Sequence, residues 1–132
     1  VPPFLVGSCV NLVMAQRLVR KVCVKCREER IPAEQELQAI GLKEDRTKGK
    51  VLYVAKGCRD CRDTGYLGRT GIFELIPMTE SVRALIYDNA NEDELRACAL
   101  KEGMVSLRES GIRKILDGST TIKEVLRITM EN

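Results

Sequence analysis

Cys23-Val24-Lys25-Cys26 and Cys58-Arg59-Asp60-Cys61 are two Cys-x-x-Cys turns separated by residues 27–57. Each turn sets two thiolates side by side, and two such turns close a tetrahedral shell of four thiolates around zinc. A shell of four protein ligands leaves no position open for a substrate, so the pattern points to structural bracing. Sites of this kind bind zinc with about 10–16 kcal/mol in small peptides, and that free energy drives folding. The spacer exceeds the roughly 15–20 residues of a compact zinc ribbon and must carry an element of its own. Two other readings of the cysteines fit less well. A thioredoxin-like redox site uses one Cys-x-x-Cys in a βαβ setting, and here there are two. Two independent disulfides with two-residue gaps would be an odd staple in a chain with no mark of secretion.

The rest of the composition narrows the function classes. At 132 residues, 44% hydrophobic and 31% charged, the chain is an ordinary globular one, of one domain or two small ones. With no histidine, imidazole catalysis within the chain is excluded. No apolar run reaches the ~18 residues of a membrane span. The net charge of +3 is unevenly placed. Residues 17–27 hold Arg17, Arg20, Lys21, Lys25 and Arg27 without an acid, and Lys56, Arg59 and Arg62 surround the second turn against Asp60 and Asp63. A basic zinc region permits contact with the phosphates of lipid or nucleic acid; a merely solvated face is the plainer alternative.

On the N-terminal side, Val1-Pro2-Pro3-Phe4-Leu5-Val6 opens in hydrophobic sequence, as in a segment cut from a longer protein. Pro2 and Pro3 predict an extended entry and Ser8 an N-cap. Leu12, Ala15, Val19 and Val22 then form a helical stripe over residues 9–22. The first half of that helix is apolar on all sides, Asn11 apart, and calls for burial against a further domain. Cys9 and Cys98 read as buried, inert cysteines on apolar helix faces.

On the C-terminal side, a short helix over 33–40 ends at Gly41, a solvent loop covers 43–50, and residues 51–54 form a strand. Gly49-Lys50 is no phosphate loop, since Glu44 and Val51 break the pattern. Gly65, Gly68 and Gly71 allow turns or a bulge before a strand over 70–76, with Ile72, Glu74 and Ile76 on one face and Phe73 and Leu75 on the other. Four short helices follow, capped by Thr79, Asn91, Ser106 and Thr121, with Glu94 and Glu124 completing capping boxes. Their short links predict one compact bundle.

Several of these segments together resemble one family, the type II secretion and type IV pilus assembly ATPases. The matching residues are Pro3-Phe4-Leu5-Val6, Ala15-Gln16-Arg17-Leu18-Val19-Arg20, the four cysteines, Thr64-Gly65-Tyr66-Leu67-Gly68-Arg69-Thr70-Gly71-Ile72-Phe73-Glu74, Gly103-Met104, and Gly118-Ser119-Thr120-Thr121 with Glu124-Val125-Leu126-Arg127. Val24 departs from the proline common after the family's first cysteine. The resemblance implies an α+β fold: the end of a RecA-like α/β core with an inserted tetracysteine zinc-binding subdomain and a C-terminal helical bundle. Residues 1–22 would be the last helical part of the core, 23–61 the metal-binding subdomain, 62–77 a glycine-rich turn and returning strand, and 78–132 the helical subdomain.

The same resemblance implies a parent protein that is a cytoplasmic hexamer, peripheral to the inner membrane. It would work on an inner-membrane platform protein and use ATP and magnesium at residues outside this chain. Cys23, Cys26, Cys58 and Cys61 are the metal ligands expected here, with zinc as the metal. Arg17 and Arg20 would face a nucleotide, a neighbouring subunit or solvent. Lys25 and Arg27 would meet acidic lipid or a partner, and Arg69 would join Glu74 or a neighbouring subunit. A zinc-ribbon nucleic-acid-binding module is the competing class. The basic turns favour it, but aromatic residues for base stacking make up only 4% of the chain, and the strand and helices exceed what a bare ribbon needs.

Overall fold

The computed structural model describes residues 2–10 and 12–130; Asn11, the one polar residue of the predicted apolar segment, lies outside them. In order come α1 (Pro3–Cys9), β1 (Leu12–Val22), β2 (Glu28–Glu29), α2 (Glu34–Ile40), a 3-10 turn (Glu44–Thr47), β3 (Tyr53–Val54), β4 (Tyr66–Pro77), α3 (Glu80–Tyr87), α4 (Glu92–Lys101), α5 (Leu107–Leu116) and α6 (Ile122–Thr129). The architecture is mixed α+β with two small sheets, β1 with β4 and β2 with β3, the latter antiparallel with Glu28 opposite Val54 and Glu29 opposite Tyr53.

The helix expected over 9–22 is replaced by a strand. Only Pro3–Cys9 is helical, with Pro2 extended before it and Pro3 at its first position. Ser8 is therefore no N-cap; inside α1 its hydroxyl donates to the Phe4 carbonyl at 2.7 Å. Leu12–Val22 is extended because β4 supplies its backbone partners from far along the chain. Within this chain Leu12, Val13 and Met14 are exposed, whereas Val19 and Val22 are buried. Cys9 is likewise exposed, at the end of α1, and Cys98 is half-buried.

Other elements follow their local chemistry. Gly41 ends α2 in the left-handed region at φ +80°, which costs a residue without Cβ nothing. β4 begins earlier than its apolar alternation, at Tyr66, and buries Ile72 and Glu74 while exposing Phe73 and Leu75. Thr79, Asn91 and Thr121 each accept from the amide three residues on, capping α3, α4 and α6.

The chain forms two compact units. One comprises residues 1–16 and 73–106; there α1 packs on α3 and α3 on α4, with Val82 and Ala99 buried. Glu74, buried in this unit, accepts from Arg96 at 2.7 Å, and Arg69 stands exposed. The other unit comprises residues 17–72 and 107–132. Its core joins Leu37, Ile40, Leu42 and Leu52 to Ile112, Ile115, Ile122 and Val125. Each such side chain contributes ~1.5–3 kcal/mol when fully buried. Here α5 packs on α6 and α6 on α2. Gly111 permits the first contact, since a Cβ there would lie 2.5 Å from Val125 Cγ1. The four C-terminal helices thus do not form the single predicted bundle: α3 and α4 belong to one unit, α5 and α6 to the other.

Candidate metal centre

β1 delivers Cys23 directly from its end. The Cys23 amide donates to the Gly65 carbonyl and the neighbouring Val22 amide to the Ser119 carbonyl, both at 2.9 Å. The chain then turns, with the Arg27 amide on the Cys23 carbonyl at 3.0 Å, which brings Cys26 back beside Cys23. The second turn is closed by the Asp63 amide on the Cys58 carbonyl at 2.8 Å and by Thr64 Oγ1 on the Cys61 carbonyl at 2.7 Å. Arg62 and Asp63 both take positive φ here, which tightens the exit from the turn.

The four sulfurs lie within 4.8 Å of one another. Sγ of Cys23 is 3.8 Å from that of Cys58, Cys26 is 3.8 Å from Cys61, and Cys58 is 3.7 Å from Cys61. These separations are far beyond the ~2.05 Å of a disulfide. A tetrahedron with metal–sulfur bonds of about 2.3 Å places its sulfurs about 3.8 Å apart, so the cage has the size zinc requires. Cys23 and Cys61 are buried, and Cys26 and Cys58 half-buried.

Backbone amides are aimed at the sulfurs. Gly57 donates to Cys26 Sγ at 3.3 Å, Cys58 to Cys61 Sγ at 3.2 Å and Gly65 to Cys61 Sγ at 3.2 Å. Such donors stabilise thiolate over thiol and orient the ligand, as outer partners do at metal sites. Burial works to push the Cys61 thiol up, yet the Cys58 and Gly65 amides and the neighbouring thiols outweigh it and bring it down to about 6. Four thiolates at this spacing repel one another, and a dication removes that repulsion. Gly65 is where sequence reasoning stopped short. Its φ of +83° and an added Cβ 2.5 Å from Ala55 Cβ both exclude a side chain, and its amide serves Cys61 four residues before it.

The basic candidates separate into distinct roles. The Arg20 guanidinium grips Glu124, Nε to Oε2 at 3.1 Å and Nη2 to Oε1 at 2.9 Å, and lies 4.2 Å above the Tyr66 ring. Arg127 holds the same carboxylate, with Nη2 2.9 Å from Oε2. Glu124 also accepts from the Arg20 amide at 2.8 Å, so its carboxylate is committed to β1 as well as to its own helix. Burial disfavours its charge, but Arg127 and Arg20 prevail and hold its pKa down to about 2. Arg27 stacks 3.9 Å from the Tyr53 ring centre and donates to the Gly118 carbonyl. A lipid contact through Lys25 and Arg27 together thus keeps only Lys25 as a freely exposed member. Arg17 is half-buried. Among the described residues, no helix is long and apolar enough to cross a membrane.

A family model described as "Type II/IV secretion system protein" matches residues 1–127. The chain belongs to the Type II/IV secretion system protein family. Relatives in that family include the "Type IV pilus assembly ATPase PilB" of Myxococcus xanthus, 42% identical over 96% of this chain and 22% of its own length. The "Type II secretion system protein E" of Pseudomonas aeruginosa is 41% identical over 99% of this chain and 26% of its own. The PilB of Thermus thermophilus is 40% identical over 99% of this chain and 15% of its own. The chain therefore spans about a quarter or less of the length of these family members.

Proposed function

We infer that this chain is the zinc-braced, structural part of a hexameric motor ATPase that powers type IV pilus extension or type II protein secretion. The observation that carries the reading is the cage of four sulfurs, sized for a tetrahedral metal and served by three backbone amides. Its support at the level of the whole protein is membership of the family, whose relatives are named as pilus assembly ATPases and secretion proteins. Cys23, Cys26, Cys58 and Cys61 would hold zinc, which supplies no open coordination position and so no chemistry beyond bracing. ATP and magnesium would be handled by residues outside this chain, in a parent protein docked from the cytoplasm on an inner-membrane platform protein. Arg69, exposed on β4, is a candidate for contact with a neighbouring subunit.

Two measurements test this reading together. Elemental analysis of the purified chain should give one zinc per chain, and the chain should not hydrolyse ATP while the whole parent protein does. A chain free of metal after reducing purification in zinc, or one that turns over ATP alone, rejects it.

A further inference from the structure

We propose that the groove between β3 and the start of α6 is a docking site for an acidic, apolar peptide segment of a partner protein. The groove encloses about 660 Å³ and lies wholly within the unit that carries the cysteine cage. That volume fits a few peptide side chains. Its deeper lining is apolar: Leu52 and Ile122 are buried, and Val54 and Leu126 half-buried. Its lining carries three exposed cations, Arg30, Lys56 and Lys123, and one half-buried carboxylate, Glu36, with Glu28 beside the lining as the partner of Lys56.

The electrostatics of the rim are unsaturated. Arg30 pairs with Glu36, and Lys56 with Glu28 at 3.0 Å, but the partners in both pairs are at least a third exposed. Ion pairs at such exposure are worth ~0–1 kcal/mol, so an incoming carboxylate can exchange into either. Lys123 has no carboxylate within ion-pairing distance among the described residues. An apolar floor ringed by surplus positive charge fits a segment in which a hydrophobic side chain is flanked by Asp or Glu. The alternative anion, single-stranded nucleic acid, needs a continuous basic track with stacking faces. Here both aromatic rings of the lining are already engaged, Tyr53 under Arg27 and Tyr66 under Arg20.

The test is fluorescence anisotropy with the zinc-loaded 132-residue chain and a labelled ten-residue peptide alternating aspartate and leucine. Lys56→Glu with Lys123→Glu should weaken binding at least tenfold. Both side chains are exposed, so circular dichroism and zinc content should match the unmodified chain. Lys48→Glu with Lys50→Glu, exposed cations outside the groove, should leave binding unchanged, which separates the groove from general basic charge. A peptide alternating aspartate and serine should bind at least tenfold more weakly than the leucine peptide. Equal binding by the Lys56/Lys123 variant, equal binding of the serine peptide, or tighter binding of an oligothymidylate of the same charge would each overturn the proposal.

Discussion

Glu124 shows how one residue can be read correctly for its position and wrongly for its task. Three residues after Thr121, it has the spacing of a capping box, whose carboxylate returns to the N-cap amide. Thr121 does cap, accepting from the Glu124 amide at 3.1 Å. The carboxylate instead crosses to Arg20, which is 104 positions away in sequence, and is shared with Arg127. A charge this buried survives only because two guanidiniums and an amide surround it. With a folded pKa of about 2 against an ordinary 4.5, Glu124 contributes stability that is complete above pH 4.5. It is lost as pH falls from 4.5 through 2. The shift corresponds to about 3 kcal/mol, reduced to about 2–3 kcal/mol because both guanidiniums are partly solvated. Glu124→Gln should therefore lower the urea unfolding midpoint at pH 7 by that equivalent. The gap from the unmodified chain should narrow between pH 4.5 and 3; a gap constant over that range would remove the carboxylate's charge as its cause.

At the scale of elements, the misread strand and the correctly read caps have the same explanation. Thr79 and Asn91 satisfy amides three residues away, so their signal is complete within a few residues of sequence. β1 is decided by β4, some fifty residues on, and Leu12, Ala15, Val19 and Val22 fall on a helical stripe by spacing alone. Apolar residues on both faces of a strand erase the alternation that would have marked it. The same long-range pairing ties the first cysteine turn to the loop between α5 and α6. Val22 bonds Ser119 just before Cys23, and Arg27 bonds Gly118 just after Cys26. Thr120 Oγ1 adds a bond to the Arg20 carbonyl at 2.7 Å. Holding the first turn with metal thus fixes the residues that lead into the α6 N-cap. Chelation should raise amide hydrogen exchange at Val22, Cys23, Gly65 and residues 118–121 before the centre of α6 opens. Simultaneous opening of α6 and this loop would mean that the loop has no separate dependence on the metal turn.

For the molecule as a whole, the sequence announces the cluster of four cysteines because the spacing within each Cys-x-x-Cys turn is a local property, and the cluster is where its reading and the structure agree best. The partition of the helices was not legible, since it depends on which apolar faces meet: α5 and α6 share their core with α2 through Ile40 and Leu37, contacts that no short-range pattern encodes. Among the described residues that core holds eight buried side chains, four of them from the segment between the cysteines, and a second cluster in the same unit joins Val19, Ile72 and Ile128. With a metal tying its two cysteine turns together, the unit is expected to draw part of its stability from that metal. Binding to the folded form alone then stabilises by RT ln(1 + [Zn]/Kd), about 1.4 kcal/mol for each tenfold rise in free zinc above Kd. In a unit of this size that is a rise of roughly 5–10 °C in melting temperature per decade. Thermal melts in zinc buffered over three decades should show this slope, and Cys61→Ser should abolish it while lowering the transition. A melting temperature indifferent to zinc in the unmodified chain would mean that the apolar core holds the unit unaided and that the cysteine cage is not its brace.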